Sequence, residues 1–116
     1  VDTPLVVTGG FRSAKAMQEA LDSGATDFIG IARTTCVDPD FPNKLIADVN
    51  YKHQLKVLTT GKPAIDKMAM LEITWYEAQL ARMAKGKKPK ANLSEWGVFF
   101  GTLFNAGIYA FRKRRA

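Results

Sequence analysis

Apolar residues come in two short blocks near the start of the chain, Leu5-Val6-Val7 and Phe28-Ile29-Gly30-Ile31. The first is bounded by Pro4 and by Gly9-Gly10, and the second follows Gly24 and Asp27. Short, unbroken apolar runs between turn residues predict fully buried strands of a parallel sheet. Between them the period changes from continuous to helical. Ala16, Met17, Ala20 and Leu21 fall on one face at three-and-four spacing, Ser13 is a good N-cap, and Gly24 is a natural left-handed stop. Strand, helix and strand within about 30 residues predict a βαβ unit with parallel strands and a right-handed crossover.

After this unit the pattern is helical. Residues 41–49 predict a short helix capped by Asp40, and residues 51–60 show no clear period. Pro63 suits the first turn of a long helix reaching about residue 84, with Ile65, Met68, Leu71, Trp75, Leu80 and Met83 on its apolar positions and Gly86 as its stop. Residues 85–90, rich in lysine, read as a polar hinge. Ser94 then caps a last helix over 95–111 that is apolar almost all round, and the basic run Arg112-Lys-Arg-Arg115 follows. There is no internal repeat.

Length and composition narrow this picture. A chain of 116 residues with 47% hydrophobic residues suits one ordinary globular domain. Val1 stands directly before an apolar run, which reads as an internal cut. The net charge of +6 is uneven. Residues 1–81 hold 8 Lys/Arg against 10 Asp/Glu, and residues 82–116 hold 9 Lys/Arg against Glu95 alone. Basicity confined to the tail argues against a nucleic-acid-binding surface, which would carry it along the fold. Cys36 is the single cysteine, so neither an internal disulfide nor a cysteine-based metal site is expected. The absence of cysteine pairs suits a reducing, cytoplasmic setting.

The chemistry gathers where the two strands end. Thr8-Gly9-Gly10-Phe11-Arg12-Ser13 follows the first, and Gly30-Ile31-Ala32-Arg33 closes the second. Parallel strands put both loops on one edge of the sheet. Backbone N–H groups next to glycine admit a phosphate closely, a helix N-terminus adds partial positive charge, and an arginine fork matches two phosphate oxygens. Either loop alone reads equally as a turn with a solvated arginine; the pairing at βαβ spacing is what points to a phosphate. Arg12 stands either beside that phosphate or in an ion pair with Asp27. His53, the only histidine, reads as a surface or loop-packing residue, and Cys36 as an ordinary buried or half-buried thiol.

Three stretches, Pro4-Leu-Val-Val-Thr-Gly-Gly-Phe-Arg-Ser13, Ala25-Thr-Asp-Phe-Ile-Gly-Ile-Ala-Arg33 and Asp38-Pro-Asp-Phe-Pro-Asn-Lys-Leu45, together resemble the last two βα units of the Old Yellow Enzyme family of NADH:flavin oxidoreductases. The resemblance implies an α/β fold: the C-terminal βαβ(α) portion of a (β/α)8 TIM barrel over residues 1–50, then a mainly helical C-terminal extension over 51–116. It implies an FMN phosphate held near Gly9, Gly10, Gly30, Ala32 and Arg33, with NAD(P)H as electron donor and a small-molecule acceptor in the full-length enzyme. Ala32 departs from the family pattern, where glycine is usual, so its methyl must point away from the phosphate.

The family's substrate-anchoring histidine pair or His-Asn pair, and its tyrosine proton donor, lie in earlier strands that this chain does not match. No residue here is therefore assigned a catalytic or metal-ligating role, and the chain alone is expected to be inactive. A two-stranded sheet with open edges further predicts self-association. The competing reading from another class is a membrane-surface or partner-binding module built on the aromatic last helix and its basic end.

Overall fold

The computed structural model of the chain describes residues 2–111, with side chains to residue 107. The terminal run 112–115 thus lies outside the described residues. The chain divides into two compact units, Val1–Lys56 and Val57–Ala116.

The first unit opens with strand β1 (Val6–Thr8), helix α1 (Ala14–Asp22) and strand β2 (Phe28–Gly30). The strands are parallel, with Val6 opposite Phe28, Val7 opposite Ile29 and Thr8 opposite Gly30. A side-chain staple sets this register. The buried Thr26 hydroxyl donates to the carbonyls of Leu5 and Phe28 at 3.0 and 2.8 Å, and the Asp27 carboxylate accepts from the Leu5 N–H at 2.8 Å. Helix α1 starts as its sequence dictates: Ser13 is extended, and its hydroxyl accepts from the Ala16 N–H at 3.4 Å. It ends at Gly24, whose φ of 68° is the left-handed turn that favours glycine.

The expectation of buried strands is corrected. Val6, Val7 and Phe28 are exposed in this chain, at 61, 45 and 58%. The described sheet has only two strands, and the unit's core forms elsewhere. It is built by α2 (Arg33–Val37), which the sequence pattern did not announce, and α3 (Phe41–Ala47). Phe41 is fully buried, with Cys36, Leu45 and Thr34 also buried. Asp40 holds the cap position of α3, but its carboxylate makes no cap bond and instead accepts from the Asn43 side-chain amide at 2.7 Å. Residues 51–56 are irregular, apart from a single antiparallel bridge between Lys52 and Ser13.

In the second unit the expected long helix is two: α4 (Pro63–Met68) and α5 (Leu71–Met83), separated at Met70, which takes the left-handed conformation at φ 44°. No glycine or proline marks the break. Helix α4 lacks a side-chain cap at Lys62. Asp66 compensates by turning back to accept from the Thr59 hydroxyl at 2.6 Å and the Thr60 N–H at 2.9 Å. Those two threonines hold its carboxyl below the usual range.

Helix α6 (Glu95–Phe111) forms as its pattern predicts, with the Ser94 hydroxyl accepting from the Gly97 N–H at 3.1 Å. It packs on α5 around Leu71, Trp75, Tyr76, Val98 and Phe99. The lysine-rich hinge is also corrected, because it is pinned at its end. The fully buried Gln79 amide donates to the Lys90 carbonyl at 2.8 Å and accepts from the Lys90 N–H at 2.9 Å. The Trp75 indole donates to the Leu93 carbonyl at 3.0 Å. Among the described residues, no helix is long and apolar enough to cross a membrane.

Candidate functional site

The parallel pairing brings both glycine loops to the C-terminal ends of β1 and β2. There they line one concavity of about 60 Å³. Gly9, Gly10, Gly30, Ala32 and Arg33, singled out from the sequence, are all on its wall, joined by Arg12 and by Leu55 from the irregular segment.

The glycines earn their places in different ways. Gly9 and Gly10 have φ of 147° and 71°, and a Cβ on either would meet no protein atom within 4 Å. Their lack of side chains therefore serves the backbone path and leaves the hollow open. Gly30 answers to packing. Its register partner is Thr8, and a Cβ there would clash with the Thr8 hydroxyl oxygen and sit 2.9 Å from Thr8 Cβ. The sequence argument made Gly30 a matter of phosphate approach; in the structure, crowding by Thr8 already forbids a side chain.

Ala32 precedes α2 with φ −121° and ψ −77°, and its carbonyl is fully used. It accepts from the Thr35 hydroxyl at 2.8 Å, from the Cys36 N–H at 3.3 Å and from the Cys36 thiol at 3.5 Å. Burial pushes the Cys36 thiol's pKa up, and the thiol donates to the turn at the Ala32 carbonyl. Arg12 and Arg33 are both exposed at the rim. The Asp27 carboxylate accepts from the Leu5 N–H, and Arg12 lies on the cavity wall.

A second cluster, which sequence reasoning missed, buttresses this wall. Asp38 is buried and accepts from Lys44 Nζ at 2.7 Å and the Tyr51 hydroxyl at 2.9 Å, with His53 Nδ1 at 3.5 Å. Burial alone would raise its pKa, but the bonds from Lys44 and Tyr51 outweigh this and hold the carboxyl below the usual range. Lys44 is correspondingly raised by Asp38. The rings of Tyr51 and His53 lie against Phe41, with centroids 6.0 and 6.5 Å away. The cluster thus ties residues 51–53 to the α2–α3 core. Lys52 bridges to Ser13, and Leu55 reaches the cavity. The Asp-Pro pair in the sequence was the available signal, but its partners lie 6 to 15 residues downstream with no period to reveal them.

Two glycine loops and two arginines over the ends of parallel strands define a cradle suited to a phosphate group. Among the described residues there is no cluster of histidine, cysteine and acid suited to a metal ion. The chain is 36% identical over 93 residues to the NADH-dependent flavin oxidoreductase iccE of Talaromyces variabilis, a match taking in 71% of this chain and 22% of that protein. It is 36% identical over 55 residues to the NADH-dependent flavin oxidoreductase iliE of Hypocrea jecorina, taking in 47% of this chain and 13% of that protein. Against the iliE protein of Neonectria sp. it is 42% identical over 43 residues, 37% of this chain and 6% of that protein. No family model and no solved structure matches. Over part of its length the chain is thus similar to proteins named NADH-dependent flavin oxidoreductases, and it spans 22% of the length of the first of these relatives.

Proposed function

We propose that this chain supplies the cofactor-phosphate end of an FMN-dependent NAD(P)H oxidoreductase of the Old Yellow type, built on the last two βα units of a (β/α)8 barrel. The observation that carries this reading is the single cavity lined by Gly9, Gly10, Gly30, Ala32 and Arg33. In barrels of this kind the loops after strands seven and eight commonly bind phosphate. The residues present fit the group: the backbone at Gly9 and Gly10 is unobstructed, and two arginines stand at the rim.

In this reading the backbone N–H groups beside Gly9, Gly10 and Ala32 would hold the phosphate, and the Arg33 guanidinium would offset its charge. Leu55 and Phe11 add apolar side chains to the cavity wall. When bound, FMN supplies the hydride-transfer chemistry from NAD(P)H to a small-molecule acceptor; the protein contributes binding and orientation. The chain's own residues would anchor one end of the cofactor.

Flavin titration by fluorescence quenching, on the full-length protein and its Arg33→Ala variant, tests this. Loss of a charge-assisted phosphate contact costs about 1.5–3 kcal/mol, or roughly tenfold to a hundredfold in affinity. Unchanged FMN affinity in the variant would remove Arg33 from the site. Tight stoichiometric FMN binding by these 116 residues alone would show that the chain is a complete flavoprotein of another kind.

A further inference from the structure

Among the described residues helix α6 carries two apolar faces, one buried against α5 and one exposed. Val98 and Phe99 are buried on the side that packs against α5. The other stripe is Trp96, Phe100, Leu103 and Phe104, at positions i, i+4, i+7 and i+8, which fall within about 100° of arc on a helix. These four are 38, 60, 52 and 70% exposed. Trp96 and Phe100 stack with centroids 5.9 Å apart. The stripe runs into an apolar hollow of about 190 Å³, lined in part by Met68, Met70, Phe99 and Leu103. Contiguous apolar surface of this kind marks an interaction site rather than scattered exposure.

Charge selects the occupant. Residues 82–116 carry nine Lys/Arg against one acid. Lys85, Lys87, Lys88 and Lys90 come before the helix, and Arg112, Lys113, Arg114 and Arg115 follow it in sequence. The stripe offers mainly rings and methylenes, beside a run of lysines. A lipid surface needs no polar matching, takes aromatic rings at its boundary, and attracts lysines when its headgroups are anionic. The hollow has room for part of an acyl chain. The 17 residues of α6 extend roughly 26 Å at ~1.5 Å per residue, short of the ~30 Å hydrocarbon core. That length suits a helix lying on the bilayer.

We propose that the Trp96–Phe100–Leu103–Phe104 face of α6 docks on an anionic lipid bilayer, flanked by the lysine-rich segment 85–90. The inference is independent of flavin binding.

The test is co-sedimentation of the full-length protein with vesicles of phosphatidylcholine mixed with phosphatidylglycerol, against phosphatidylcholine alone. Binding is expected to the mixed vesicles, to weaken with added salt, and to fall at least about tenfold in the Phe100→Glu/Phe104→Glu variant. Both positions are exposed, and circular dichroism verifies that the variant folds. Trp96 supplies an independent readout. Its fluorescence should shift to the blue on binding, and the shift should be missing from Trp96→Phe; Trp75, 1% exposed, has no water to lose. Equal sedimentation of the wild-type protein and the double variant would overturn the proposal. So would a double variant that changes only the oligomeric state, which would assign the face to a second copy of the chain.

Discussion

At the scale of single residues, the Thr8–Gly30 pair makes the sharpest statement. The clash of any Cβ at Gly30 with the Thr8 side chain means that Gly30→Ala must displace Thr8, an overpacking cost of about 1–3 kcal/mol. Removing the obstacle with Thr8→Gly should recover part of this, so the double variant costs less than the sum of the singles. Urea unfolding of all four proteins measures the coupling, and strict additivity would show that the strands relax freely. Asp38 gives a pH-dependent counterpart. Its carboxyl is held below the usual range when folded, so its stabilisation is present above the ordinary carboxylate pKa of about 3.9 and is lost as pH falls through the lower folded value. Asp38→Asn should cost about 1–2 kcal/mol at neutral pH, and the gap from wild type should close in acid. Chemical denaturation across pH checks this; a gap independent of pH would mean that the carboxylate's charge is not what Lys44 and Tyr51 hold. That the glycines and Arg33 share one wall was legible in the sequence, because the parallel strands of a βαβ unit end on one edge. The Asp38 cluster was not, since any polar residues at those spacings would read as solvated surface.

Among the elements, those with a period and a cap were foreseen almost to the residue. α1 behind Ser13 and α6 behind Ser94 are examples. The break between α4 and α5 had no such signal, because it rests on a methionine in a glycine-like conformation. Left-handed backbone costs an L-residue about 1–2 kcal/mol. Met70→Gly should therefore leave the second unit as stable or up to about 1 kcal/mol more so, while Met70→Val should lower its melting midpoint. Calorimetry decides; equal midpoints for the two variants would mean that the conformation carries no strain. The tether from α5 to the segment before α6 is equally specific. Gln79→Leu leaves the Lys90 N–H and carbonyl without their partner and should cost about 1–3 kcal/mol. An unperturbed midpoint would show that water replaces the amide at no cost.

For the whole molecule, the pattern of exposure separates what folds the chain from what the chain is for. Two parallel strands with open edges and exposed Leu5, Val6, Val7 and Phe28 should draw the isolated chain into self-association. Sedimentation velocity at micromolar concentration is expected to show species larger than 12.8 kDa; a folded monomer would refute it. The apolar runs were legible as strands, but their exposure was not, because burial depends on what else covers a sheet and a run of valines does not encode that. The division between site and core also bears on how motion is distributed. Phe41 and Trp75 anchor regions whose amides should exchange with deuterium slowly, whereas β1 and β2 contribute little buried surface to hold their ladder closed. The cradle is therefore mounted on the most readily opened part of its unit. A ligand seated there would appear in an exchange experiment as new protection at Val7 and Ile29 against a fast background, so occupancy could be read from the backbone without any chromophore.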